Sequence, residues 1–442
     1  MNTTQTFRGT AELPAFAASR KEVEWMASLR HRAYERFSTM DWPTTREEEW
    51  RRSDISSYDF EAYGYGSSAV SALSAASATV PAGYSGTMKF RGAECVEITL
   101  KPELAARGVL FLPLNLLLAA DRHAIVSEAA IAALKQALTA AVDGIDNRIC
   151  AWHYAAMSHG AYLYVPEFVE INEPFRIDYT ENGDSTLSAP ETVVHLEKGA
   201  RATAVQSISG QEEGELLFNE GSDLIVRDAA SLSFLSVQNL NLDCSVFSNG
   251  NSRVDRDSSF EHFVAVFGGM FAKDRFDCTL DGPGSDVRLN GIYFGHKDQH
   301  FDVRTVQHHN APHATSRTYY KGAVKDESHA VYQGLIQVAH KAIRTDAFLE
   351  DKNLILNDGA RADSIPSLQI NTDDVKCSHG STTGRLDENQ LHYLMARGYD
   401  RAEAEELLVE GFFGDLIDHG PEVMREELRA VIMERLLEKS EA

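Results

Sequence analysis

Thr192–Ile208, TVVHLEKGARATAVQSI, and Ser222–Gln238, SDLIVRDAASLSFLSVQ, are built alike: two short apolar or alternating runs joined by a corner of small residues. Runs of this length, rich in β-branched residues, read as strands. AYLYVP (Ala161–Pro166) and SDVRLNGIYF (Ser285–Phe294) follow the same pattern. The corners fall at Gly199-Ala200, Ala229-Ala230, Ser258-Ser259 and Gly284-Ser285. That spacing, roughly 26 to 30 residues, is what one coil of a stacked solenoid requires. A β-sandwich would also give many short strands, but it needs tight hairpins. Asn249-Gly250 reads as one such turn, whereas Asn290-Gly291 sits inside an apolar run. The expected core is therefore a parallel β-helix over residues 159–380.

Both flanks read as helical. KEVEWMASLRHRAYERFSTM (Lys21–Met40) sets Val23, Met26, Leu29 and Tyr34 on one face, and DWPTTREEEWRRSDI (Asp41–Ile55) interrupts and restarts it. A Gly/Ser/Ala-rich stretch near 64–86 can bury little and reads as a flexible connection. FRGAECVEITL (Phe90–Leu100) then reads as strands, and Ser127–Met157 as one or two helices with an alanine-rich face. Residues 1–158 thus form a mostly helical N-terminal domain. In the C-terminal helical domain, 381–442, Asp387 with Gln390 and Asp400 with Glu403 have the spacing of reciprocal caps, and Gly398 closes the helix between them. The apolar stripes are Leu391, Leu394 and Met395, then Ala404, Leu407, Leu408 and Phe412, then Met424, Leu428, Val431, Ile432 and Leu436. Such stripes either pack on the parent domain or dock a partner chain.

Acidic residues outnumber basic ones 66 to 42, a net charge of −24, so the field repels nucleic-acid phosphates and anionic membranes. No run approaches the ~20 apolar residues that span a bilayer, and no basic stretch followed by an apolar run opens the sequence. A cytoplasmic protein without nucleic-acid or membrane partners is expected. Cys95, Cys150, Cys244, Cys278 and Cys377 form no CxxC pair, and no GxxxxGK[ST] loop occurs. Any nucleotide chemistry must come from another chain.

Two groups of residues carry chemistry. In DDVKCSHG (Asp373–Gly380), alternation puts Cys377 and His379 on one side of an extended strand, a soft sulfur beside a borderline nitrogen. The competing reading is a small buried thiol and a histidine bonded to a turn. Two ligands are also too few for an iron–sulfur cluster, which ordinarily has about four. The second group, GHKDQHFDVRTVQHHNAPHATS (Gly295–Ser316), holds His296, His300, Asp302, His308, His309 and His313. Its parity argues against one common focus, yet a metal site from His296, His300, His308 and His309 is the alternative function it suggests. A carbohydrate-active β-helix enzyme is a second alternative, although no acidic pair stands out by spacing.

PSLQINTDDVKCSHGSTTGRLDENQLHYLMARGYDRAEAEELLVEGFF (Pro366–Phe413) resembles the C-terminal signature of the SufB/SufD family, its SufD branch most closely. The resemblance extends back through Arg317–Leu356 and HNAPHATS from His309, and includes PTTREEEWRRSDI (Pro43–Ile55). It implies a right-handed parallel β-helix between helical domains, and a non-enzymatic subunit of the SUF iron–sulfur cluster assembly machine. A SufB-like scaffold and a SufC-like ATPase would be its partners, with a homodimer when isolated. No cofactor would be held stably by this chain alone; a transient iron–sulfur cluster would sit at the SufB interface, and a flavin could join the complex. Cys377 and His379 match the family's Cys and His. Leu391, Leu394, Leu407, Leu408, Phe412 and Phe413 fall in the ATPase-docking region. Ser381, Thr383 and His392 depart from the usual Ala, Val and Phe.

Overall fold

The computed structural model describes residues 7–65, 79–119, 127–181, 185–210, 213–420 and 422–438. Most of the Gly/Ser/Ala stretch lies outside them. Helices α1 (Leu13–Ser19), α2 (Glu24–Thr39), α3 (Pro102–Ala106), α4 (Leu114–Leu118), α5 (Glu128–Asp143) and α6 (Arg148–Ala156) belong to the N-terminal third. Helices α7 (Glu388–Met395), α8 (Arg401–His419) and α9 (Glu422–Leu437) end the chain. The early strands are β1 (Phe7–Arg8), β2 (Gly64–Tyr65), β3 (Gly86–Arg91), β4 (Glu94–Leu100) and β5 (Leu110–Pro113). Next come β6 (His159–Val165), β7 (Phe175–Glu181), β8 (Thr186–Ser188), β9 (Pro190–Leu196), β10 (Arg201–Gly210), β11 (Leu216–Val226), β12 (Ser231–Asn239) and β13 (Cys244–Val254). The remainder are β14 (Ser259–Val266), β15 (Phe271–Leu280), β16 (Asp286–Gly295), β17 (His300–His309), β18 (Thr315–Val324), β19 (His329–Val338), β20 (Asp346–Ile355), β21 (Arg361–Ile370) and β22 (Lys376–Arg385).

From β10 onward consecutive strands alternate between two sheets, one running β11-β13-β15-β17-β19-β21 and the other β10-β12-β14-β16-β18-β20-β22. Each strand pairs in parallel with the strand two ahead, so Arg201 lies beside Ser231, Ser231 beside Ser259 and Ser259 beside Asp286. This is the parallel β-helix read from the repeat. Each coil turns on a residue with positive φ: Gly199, Ala229, Asp257, Gly284, His313 and Arg344. All four expected corners lie at or next to this series. The small residue after the turn, Ala200, Ala230, Ser258 or Ser285, is buried and lets successive coils stack closely.

Asn249-Gly250 is not a hairpin turn, because both residues lie inside β13. The glycine serves packing: a Cβ there would sit 2.4 Å from Cδ2 of Phe276. The same logic pairs β16 with β18, where Tyr320 lies over Gly291 and Tyr293 over Gly322. Aromatic rings thus fill the lumen by lying across glycines on the neighbouring coil.

The β3–β4 hairpin adds to one end of the solenoid, β3 pairing in parallel with β7 and antiparallel with β4. β22 runs past residue 380 to Arg385. Both outer faces of the middle coils are covered. Trp42, Phe60 and Trp152 belong to an aromatic cluster that packs on Phe247 and Phe271 of one sheet. Val409, Phe413, Leu416, Ile417, Met424, Leu428 and Ile432 of α8 and α9 cover Leu235, Phe263 and Ile292 of the other. α9 buries Met424, Leu428 and Ile432 of the expected stripe and leaves Val431 and Leu436 half-buried against the same cluster. On α8 the covering face turns by about one residue, from Leu408 and Phe412 to Val409 and Phe413. Asp400 and Glu403 form the reciprocal cap, whereas Asp387 accepts from the Asn389 N–H and makes a single-sided cap. Among the described residues no helix is long and apolar enough to cross a membrane.

Candidate functional site

Among the described residues the solenoid stops at β21 and β22 without a covering strand, as each is the last member of its sheet. Middle strands such as β11 are almost wholly buried, but most of β22 is exposed. Cys377 lies beside Ala347 and His379 beside Leu349, and those two partners are buried in the lumen core. The expected alternation holds: Cys377 and His379 both continue an inward-facing column at the open mouth. Cys377 is half-buried against the core, while His379 is exposed. Burial pushes the Cys377 thiol above its ordinary range, so it is protonated at neutral pH. Binding iron or sulfur there must displace that proton. The other thiols are no more reactive: burial raises Cys95, Cys244 and Cys278 to about 12 and holds Cys150 up as well.

Beneath the mouth the lumen holds carboxyls that the sequence reading missed. Asp351, fully buried and in register with Ser381, accepts from Tyr293 Oη at 3.2 Å and Asn353 Nδ2 at 2.6 Å. Burial raises it to about 6. Deeper, Thr192 Oγ1 donates to Gln206 Oε1 (2.7 Å), Gln206 Nε2 to Glu220 Oε2 (2.9 Å) and Ser248 Oγ to Glu220 Oε1 (2.8 Å). Burial raises Glu220 to about 8 and Asp274, the neighbour of Ser248 in β15, to about 7. The signal for Asp351 was its parity with Leu349. It was hidden because acidic residues occur throughout the chain.

The histidines do not assemble a metal centre. His296 sits at a corner, with Nδ1 2.6 Å from Gln299 Oε1 and Nε2 3.1 Å from Glu438. His300 faces outward against Ser53 (3.1 Å), His308 lies 3.7 Å from Asp277, and His309 points into the lumen at Ser316 Oγ (2.8 Å). Alternation along β17 sends His308 and His309 to opposite faces, and the corner removes His296 altogether. Among the described residues no group of three or more His, Cys, Asp or Glu could hold a metal. Burial drops His296, His300 and His309 to about 4, as expected for neutral hydrogen-bonded rings.

His300 instead anchors a strap. The segment around Glu49–Ser53 crosses β15, β17 and β19: Lys273 Nζ and Gln333 Nε2 donate to the Glu49 carbonyl at 3.1 and 3.0 Å. Ser53 Oγ donates to Asp302, which also meets Lys273 at 2.8 Å. Arg52 reaches Asp363 of β21 at 3.4 Å. The N-terminal motif therefore ties the helical region to the last coil.

Of the six residues expected to dock an ATPase, Leu391 and Phe413 are 1 % and 0 % exposed. Phe413 is spent on the solenoid core beside Phe294, so neither offers a surface. Leu407 is exposed, and Leu394, Leu408 and Phe412 are half-buried. Met395 of the first stripe is exposed too, as are Tyr393 and Tyr399, which the stripe pattern did not reveal. A cleft of about 410 Å³ beside it is lined by Leu354, Leu386, Leu407, Leu408 and Phe412.

The fold is a parallel β-solenoid flanked by helices, with a Cys–His pair on the last strand of one of its sheets. Residues 179–412 match the family described as "SUF system FeS cluster assembly, SufBD core domain". A SufBD family iron–sulfur cluster assembly protein of Mycobacterium bovis is 32% identical over 300 residues, 66% of this chain and 74% of that one. The iron–sulfur cluster assembly protein SufD of Bacillus subtilis is 28% identical over 76% of each chain. SufD of Escherichia coli is 30% identical over 54% of this chain and 57% of its own. The chain belongs to the SufBD family of SUF-system iron–sulfur cluster assembly proteins.

Proposed function

We propose that this chain is a SufD-like, non-catalytic scaffold subunit that pairs with a SufB-like chain through its open last coil and docks a SufC-like ATPase on α7 and α8. The observation that carries the reading is the uncapped β21–β22 coil. An edge strand leaves half of its backbone donors and acceptors unpaired, a liability that soluble proteins ordinarily cover. A second solenoid joined end-on would pair those groups and enclose Cys377 and His379. This chain would thus supply two ligands to a nascent cluster and the partner the rest. In isolation the same seam would join two copies. The patch formed by Tyr393, Met395, Tyr399, Leu407 and Leu408, together with the half-buried Phe412, suits the ATPase, since it is apolar and at least partly exposed. Closure of the ATPase would act on α8, whose inner face is packed on the solenoid and whose Asp415 pairs with Lys321 of β18 at 2.5 Å.

The test is co-expression with the host's SufB-like and SufC-like chains, followed by capture on this chain and mass determination. Recovery of all three, with the ATPase lost on Leu407→Asp and the SufB-like chain retained, supports the reading. Recovery of this chain alone contradicts it.

A further inference from the structure

A cleft of about 280 Å³ lies between α5 and the outer face of β9, β11, β13, β15 and β17. One wall is Ala133, Ala137, Ala140 and Ala141, the alanine-rich face noted in the sequence, which is too short to fill the gap to the sheet. The opposite wall is polar. Arg275 contributes to it with its donors already engaged: Asp277 takes them at 2.8 and 3.1 Å, and Asp146 at 2.8 and 3.1 Å. A guanidinium held this way has mainly its flat face left to offer, which stacks well on aromatic rings. Asn249 and Asn251 each spend one amide N–H on the protein, to Asn219 (3.2 Å) and Asp223 (3.4 Å), and keep further donor and acceptor capacity. His195 also lines the cleft, 1 % exposed, with its Nε2 3.3 Å from Glu197 Oε1.

We propose that this cleft binds a small, uncharged heteroaromatic molecule of one or two fused rings with donors and acceptors on its edge. The alanine wall and the arginine face give the ring a slot, and Asn249 and Asn251 address its edge. Free phosphate or another compact anion is a poor fit, because Arg227, Arg253 and Arg275 are each paired with an aspartate and Asp146 and Asp277 stand among them. The cleft lies on the outer face of the sheet, separate from the lumen mouth and from the α7–α8 patch.

Saturation-transfer NMR on the full chain with adenine, nicotinamide and quinoline tests this, since fragments of about ten atoms bind at roughly millimolar affinity. Ala140→Leu fills the slot with a good helix former, and Ala129→Leu on the exposed side of α5 is the control. The expected result is transfer to at least one ring, weakened tenfold or more in Ala140→Leu and unchanged in Ala129→Leu. Absence of transfer to all three rings, equal transfer in Ala140→Leu, or displacement by inorganic phosphate would overturn the proposal.

Discussion

The middle coils and the last coil of this solenoid share strand length, register and direction, yet treat their side chains oppositely. In β11–β18 the lumen is filled by rings crossing glycines, and polar groups such as Gln206, Glu220 and Ser248 are bonded to one another. In β21–β22 the same inward columns end at Cys377, His379, Ser381 and Thr383, with no strand stacked above them among the described residues. The difference shows that the open end is not a failure of the repeat. Ala347 and Leu349 complete a core below it, and the chain then turns away into α7 rather than capping the mouth.

The contrast can be broken most severely from the middle. Phe276→Ala removes a buried ring from the lumen and should cost about 3–5 kcal/mol in urea unfolding. A loss below ~1 kcal/mol would mean that the middle coils are not the rigid part.

The lumen carboxyls make the stability of the middle coils depend on pH. Glu220 and Asp274 have folded pKa values raised above their unfolded ones, so the stability they permit is fully present below about pH 4. It is lost as pH rises towards about 7 for Asp274 and about 8 for Glu220. Glu220→Gln should remove close to one proton from that dependence, a slope of about 1.4 kcal/mol per pH unit between pH 5 and 7. Unfolding midpoints at several pH values measure it, and an unchanged slope would show that Glu220 titrates normally.

Smaller effects are expected at the strap and at the mouth. Ser53→Ala leaves one acceptor position of Asp302 unfilled and should cost about 1 kcal/mol. Cys377→Ala should change the stability of the isolated chain by less than about 1 kcal/mol, because the thiol is only half-buried. The same substitution should nonetheless lower cluster assembly in a SUF-dependent host. Full activity there would remove Cys377 from the site.

The sequence made some of this legible and hid the rest for physical reasons. The corners stood out because positive φ and close stacking restrict them to small or turn-forming residues, as at Gly199, Ala230 and Ser258. Cys377 and His379 were placed correctly by alternation alone. The histidines misled because nearness in sequence says little about which face a strand presents, so His308 and His309 diverge. Glu220 was invisible because β11 is buried on both faces and shows no apolar alternation to mark an inward carboxyl. On α8, Leu407, Leu408 and Phe412 lie next to Val409 and Phe413, leaving two overlapping apolar faces. Packing on Leu235, Phe263, Ile292 and Phe294 decides which one turns inward.

The central claim is that the last coil is a seam awaiting a partner. Amide hydrogen exchange of residues 376–385 in this chain alone, and in its complex with the SufB-like chain, tests that most directly. The account predicts fast exchange at alternate amides of β22 in the free chain if it is monomeric, and strong protection of those amides in the complex. A stable complex in which β22 exchanges as fast as in the free monomer would contradict it.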